Sequence, residues 1–323
     1  MNKRTRVLNA LDGKATDRVP ASFWHHFSGE DAIGDKCVQA HINYYKETDV
    51  DFIKIMSDGF DWEPPVKVQT IWDWNQYKPL GRHSWFIEGQ LERAKRINEA
   101  LKGECCTFYN VFAPFSLVRH AVSDVLVMTH LRENKSAVLS AVEAIAEDAA
   151  LLARLLVTEG GCTGIYLPLQ GGERDRFTYD EYRKMIMPSD LMVLNAANEV
   201  SDYNIAHLCG WAGDRNSLDI WRDYPAKAFN WSISTDELSL VDGKMFFGGK
   251  TIMGGFDNRK CGVLFSGSED EIKCAVKEII GKYNDKFGSC TGLILGADCT
   301  VSADIDLSHI RCVMKTLDEM SDM

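Results

Sequence analysis

The chain has no long run of basic residues and no apolar stretch that approaches the ~20 residues needed for a membrane span. The first absence argues against nucleic-acid binding, which depends on clustered cations, and a formal net charge of -11 points the same way. The same field disfavours a strongly polyanionic substrate unless a local basic pocket overrides it. The opening Met1-Asn2-Lys3-Arg4-Thr5-Arg6-Val7-Leu8 leads into a short amphipathic N-terminal helix and not into an apolar signal core. A cytoplasmic protein, neither exported nor membrane-bound, is the expectation. Fixed-period repeats, low-complexity tracts and Pro/Gly/Ser linkers are also missing, so one domain over 1–323 is the economical reading. Nor is there a disulfide framework, because the ten cysteines are scattered and two of them, Cys105 and Cys106, are adjacent. Reduced thiols follow, and Cys37, Cys162, Cys261, Cys274, Cys290 and Cys312 read as small buried hydrophobes.

What is present is a chain that can bury a large core, with 45% hydrophobic residues over 323 positions. Eight runs of strand length alternate with stretches of helical period: 19–27, 52–60, 107–115, 164–172, 203–210, 228–233, 250–258 and 292–299. Most are apolar throughout, as parallel strands buried on both faces are. Between them the helix candidates are 36–47, 90–101, 136–158, 179–199, 269–287 and 307–319, with capping boxes foreseen at Ser268/Glu271 and Thr178/Glu181. This alternation predicts an α/β fold, a (β/α)8 TIM barrel. The competing open doubly wound sheet lacks its signature, since no GxGxxG follows the first strand. The main irregularity is a long loop at about 61–84, containing Pro64-Pro65, Trp72 and Trp74, which reads as a lid over the site or else as a surface excursion.

In such a barrel the chemistry gathers at the carboxyl ends of the strands. His207 and Cys209 stand two apart on the fifth predicted strand, so they project to one side, and Gly210 and Gly213 just beyond allow a tight turn. Cys299 ends the last strand, and barrel closure brings it to the same mouth. One imidazole and two thiolates form a soft donor set suited to Zn²⁺, with a fourth tetrahedral position left open for chemistry. The alternative is a hydrogen-bonded core histidine and two packing thiols. Of His25 and His26, adjacent on the first strand, only one can face the mouth, as a proton shuttle or a substrate contact. Asp58 reads as a residue that orients substrate or a neighbour. Trp24, Asn110, Gln170, Asn230 and Asp257 are candidate substrate contacts, or else they satisfy barrel backbone groups. His41, His83, His120, His130 and His309 have no partner pattern, and Trp62, Trp72, Trp74 and Trp85 line a flat pocket or pack in a core.

Six motifs together resemble the uroporphyrinogen decarboxylase superfamily over nearly the whole chain. They are Arg6-Val7-Leu8-Asn9-Ala10-Leu11 with Asp17-Arg18-Val19-Pro20, Ile55-Met56-Ser57-Asp58, His207-Leu208-Cys209-Gly210, Phe229-Asn230-Trp231, Met253-Gly254-Gly255-Phe256-Asp257 and Gly296-Ala297-Asp298-Cys299. Within the superfamily, His207, Cys209 and Cys299 match the zinc site of the corrinoid-dependent (methylcobamide) methyltransferase branch. That resemblance implies a zinc-dependent methyltransferase moving a methyl group from a methylated corrinoid, such as a cobalamin carried on a transient partner protein, to a small-molecule thiol or folate acceptor. A homodimer is compatible with it. The decarboxylases lack this metal and carry an arginine-rich motif where this chain has Phe23-Trp24-His25-His26-Phe27-Ser28-Gly29-Glu30, with no arginine. An octa-acid porphyrinogen needs cations there. Asp58 matches the aspartate of the decarboxylases, which keeps a metal-free decarboxylase as the alternative, with a non-catalytic tetrapyrrole-binding barrel behind it.

Overall fold

A computed structural model describes residues 1–64 and 66–321, so Pro65 of the long loop lies outside the described residues. Seven parallel strands run in sequence order around one sheet: β1 Phe52–Ile55, β2 Cys106–Asn110, β3 Gly164–Leu169, β4 Ile205–Leu208, β5 Ala228–Trp231, β6 Thr251–Phe256 and β7 Leu293–Ala297. Each lies inside a predicted run or within one residue of it, and each is shorter, because the run's last residues curve away to build the mouth.

The expected first strand is the exception. Over 19–27 only isolated bridges form, Ala21 with Leu295 and His25 with Val301. This segment still closes the barrel. Toward β7, Leu295 N–H donates to Pro20 O and Ser22 N–H to Leu295 O. Toward β1 one backbone bond, Asp51 N–H to Ala21 O, is supplemented by side chains: the Asp51 carboxylate accepts the Ala21 N–H at 2.8 Å, and Ser22 Oγ donates to Phe52 O at 2.7 Å. The backbone groups are therefore satisfied without regular pairing, which is why the segment is not a ladder strand. The fold is a TIM-barrel-like α/β structure with an irregular eighth stave.

The Arg6 and Asp17-Arg18 motifs hold that stave in place. Asp51 is fully buried and takes Arg6 Nη1 and Arg18 Nη1, each at 2.7 Å, while Arg6 Nε reaches Asp17 at 2.7 Å. The helix Lys3–Leu11 carries Val7, Ala10 and Leu11 into a cluster with Phe52, Cys106, Ile205 and Ala228, the first residues of their strands. It thus plugs the amino-terminal end of the barrel and leaves the opposite end for function.

The helices follow the predicted periods with two departures. The candidate 136–158 begins at Asp124 and runs to Thr158, with non-helical backbone at Asn134. The candidate 179–199 is two helices, Tyr179–Met185 and Met187–Asn198, with Pro188 in the first turn of the second. Both capping boxes are formed. No helix among the described residues is long and apolar enough to cross a membrane.

The loop after β1 is not the free lid that its length suggested. Asp148, buried on the helix behind it, accepts the indole N–H of Trp62 at 2.9 Å and the backbone N–H groups of Leu80 and Gly81 at 2.8 and 2.9 Å. Trp62 and Trp74 pack with Tyr77, whereas Trp72 and Trp85 are exposed. The loop is a packed layer whose buried aromatic residues join the main core.

Candidate metal centre

Strand parity decides which side chains enter the barrel. Phe52 and Lys54 on β1 with Met56 just beyond it, Phe108 and Asn110 on β2, Tyr166 on β3 and Ile205 on β4 alternate inward. His207 continues the inward set of β4, and Cys209 follows it as Cys209 N–H donates to Leu169 O and extends the ladder by one residue. Gly210 and Gly213 then turn the chain. A Cβ at Gly210 would stand 2.8 Å from Asp214 O, and Gly213 has φ +84°. On β7 parity alone would send Cys299 outward, opposite to Asp298. The strand ends at Ala297, however, and beyond it Cys299 swings back over the mouth.

The result is a cluster of three. One ligand atom each from His207, Cys209 and Cys299 lies within 4.8 Å of the others, and His207 Nε2 is 3.3 Å from Cys299 Sγ. Tetrahedral zinc with these donors would separate them by about 3.5–3.8 Å, so the side chains converge as a metal needs. The donor set also suits zinc in softness. The closeness of the two sulfurs pushes the Cys209 thiol up and the Cys299 thiol down, and the contact with His207 adds to the second effect. The pair therefore gives up its first proton readily and holds the second, which a cation must displace.

Around the cluster, Tyr166 stacks on His207 with centroids 5.4 Å apart, and Gln170 Nε2 is 3.9 Å from Cys209 Sγ. Trp24 packs edge-on against Tyr166 at 5.1 Å. Asn110 Nδ2 donates to Ser57 Oγ at 2.9 Å. Among the described residues, Trp24 Nε1, Asn110 Oδ1, Gln170 Oε1 and His207 Nδ1 have no protein partner although buried. Such atoms are the ones a polar ligand would use.

The two first-segment histidines separate as parity requires. His26 faces the mouth and its Nδ1 meets Asp58 Oδ1 at 2.6 Å, while His25 turns outward against Tyr44 and Phe27. Burial works to raise the Asp58 pKa, but the bonds from His26 and the Phe27 N–H win and hold it below the ordinary carboxylate range.

Two sequence candidates are placed elsewhere. Asn230 is fully buried and fully used: it accepts from Tyr166 OH at 2.7 Å and donates to Met253 O and Ala297 O. Asp257 is clamped by Arg259, whose Nε donates to it at 2.9 Å. Asn230 thus takes the backbone-satisfying role, and Asp257 orders its own loop. Sequence reasoning missed Lys54 and Tyr166, which sit mid-strand and carry no terminal signal. It also passed over His120, which packs on Trp211 beside the ligand-bearing turn.

A family model described as Uroporphyrinogen decarboxylase (URO-D) matches residues 61–320. No curated protein matches the chain. Among solved structures, a methyltransferase from Methanosarcina mazei is 16% identical, with a TM-score of 0.74 and 99% of each chain covered. A B12-independent methionine synthase from Shewanella sp. W3-18-1, in complex with selenomethionine, is 10% identical, with a TM-score of 0.60 and 94% of each chain covered. These identities speak to the fold.

Proposed function

From the premise that the chain belongs to the uroporphyrinogen decarboxylase family, we propose that it is a methyltransferase built on a zinc site, taking a methyl group from a methylated corrinoid on a separate protein. The single observation that carries this reading is the convergence of His207, Cys209 and Cys299 within 4.8 Å at the open end of the barrel. The fold shared with a methyltransferase and with a B12-independent methionine synthase supports methyl transfer as the class of reaction. A thiol is the acceptor that the donor set favours.

Zinc bound by these three residues would supply a Lewis-acid position that lowers the pKa of an acceptor thiol. The chain's own groups do the rest. Gln170, donating to Cys209, holds that sulfur in its ligating rotamer. His26, oriented by Asp58 and half-exposed at the mouth, accepts the proton that the thiol releases. Trp24 Nε1 and Asn110 Oδ1 are free to position the acceptor. A methylated corrinoid would supply the methyl group, the carbon–cobalt electron pair staying with the corrinoid as the carbon–sulfur bond forms.

The decarboxylase alternative asks for a free Asp58 and for cations around it. Both Asp58 oxygens are engaged, by His26 and by the Phe27 N–H. We place the reaction in the cytoplasm, in keeping with ten unpaired cysteines. The test is to mix the protein with methylcobalamin and a simple thiol. Zinc-dependent appearance of the methyl thioether supports the reading, whereas carbon dioxide released from a porphyrinogen by metal-free protein contradicts it.

A further inference from the structure

Lys54 is an anomaly that the reaction as outlined does not use. It is 5% exposed, halfway along β1, and its side chain points into the barrel. Among the described residues, no carboxylate pairs with it in an ion pair or hydrogen bond. Its ammonium lies instead over two aromatic rings, 4.1 Å from the centroid of Tyr166 and 5.0 Å from that of Trp24. A buried, unpaired cation is costly, and ring faces offset only part of that cost. Nature's usual choice for this inward mid-strand position is a branched apolar side chain. The cation therefore needs an anion.

Tyr166 points to where the anion is. The ring under Lys54 is the ring that stacks on His207, and His207 Nε2 touches Cys299 Sγ. Lys54 thus stands one aromatic layer below the sulfur cluster. Asp58, a weaker influence on Lys54 than the two sulfurs, has both oxygens hydrogen-bonded, by His26 and by the Phe27 N–H. Burial lowers the Lys54 pKa to about 8 and the charge of the two sulfurs opposes that fall, so the ammonium persists at neutral pH.

We propose that Lys54 is a specificity-determining residue whose buried charge makes the metal site take its fourth ligand as an anion. The charge count carries the argument. Zn²⁺ with two thiolates and a neutral imidazole would sum to zero, so the loaded site would offer Lys54 no net counter-charge. A thiolate in the fourth position would make the site a net anion beside Lys54. A neutral acceptor, such as a folate nitrogen, leaves the ammonium unmatched in low dielectric. Lys54 thereby favours loss of the acceptor's proton without touching the sulfur. This inference rests on the zinc reading and narrows its acceptor to a sulfur anion.

The test uses cobalt(II)-substituted protein, in which sulfur-to-cobalt absorption reports binding of 2-mercaptoethanol as thiolate. Lys54→Met keeps the length and removes the charge. Its expected effect is a thiol affinity at pH 7 about tenfold or more weaker, the order of one buried charge, with the spectrum of the thiol-free site unchanged. Equal thiol affinity in variant and parent overturns the proposal. Failure of the parent to bind cobalt or zinc at all overturns the zinc reading instead, so the two failures are distinct.

A metal-free thermal cycle gives a second arm. With Cys209→Ser and Cys299→Ser both in place the anion is gone, so Lys54→Met raises the melting temperature by more in that background than in the parent. Equal shifts in the two backgrounds contradict the proposal. Lys54→Gln takes the place of the Met variant if the latter does not fold, with the same outcomes expected.

Discussion

His26 Nδ1 and Asp58 Oδ1 lie 2.6 Å apart at the barrel mouth, joining the closing segment to the loop that follows β1. The pairing fixes one ring nitrogen and leaves the other facing solvent, the arrangement of a proton acceptor held in one tautomer. His26→Gln is expected to lower the rate of methyl transfer to a thiol about 100-fold with zinc content unchanged. A rate equal to that of the parent removes His26 from the proton path.

Asp58→Asn leaves an acceptor for the Phe27 N–H but weakens the hold on His26. The expected outcome is a smaller loss than in His26→Gln, and no additional loss when the two are combined, because they act as one unit. Rates measured for both singles and the double variant decide it, and multiplicative losses contradict it.

Asp148 should control the loop at 61–84. Asp148→Ala strands the Trp62 indole and two backbone N–H groups at once, a loss of ~3 kcal/mol or more. Limited proteolysis is expected to cut the variant within this loop at protease levels that leave the parent intact. Equal resistance means that the Trp62, Trp74 and Tyr77 packing suffices without the carboxylate.

Asp190 gives the fold a pH dependence. Tyr182 OH and Tyr224 OH donate to it at 2.7 and 2.9 Å, and burial raises its pKa to about 7 from 3.8. Between those values the folded chain holds a proton that the unfolded chain has lost. Stability from this group is therefore fullest below pH 4, falls as the pH climbs, and levels off above 7. Asp190→Asn should flatten this slope and be the more stable protein at pH 8 by a few kcal/mol, on the order of the shift itself. Denaturant titrations at pH 5 and pH 8 measure it, and identical slopes contradict it.

Much of this architecture was readable from residue order. Seven of the eight strands fall where apolar runs were found, because a strand buried on both faces leaves an unbroken hydrophobic signature. The eighth did not form as a ladder, since its backbone is satisfied by Asp51 and Ser22 side chains, and no local pattern announces such long-range substitution. His207 and Cys209 were legible because a spacing of two on a strand fixes a common face. Cys299 was legible only as a strand end, and its inward turn depends on β7 stopping at Ala297. Lys54 was invisible for the opposite reason: a lysine inside an apolar run reads as an interruption until the two aromatic rings that its ammonium rests on are seen. Asn230 looked like a site residue because it is polar at a strand end, and its partners are carbonyls of β6 and β7 that only the assembled sheet brings near.

Everything functional descends from the three converging ligands, so the metal content of the purified protein is the direct test. The account predicts one zinc per chain by elemental analysis, and a folded but zinc-free protein after Cys299→Ser. Wild-type protein that is folded and active yet neither contains zinc nor takes it up on addition would contradict it.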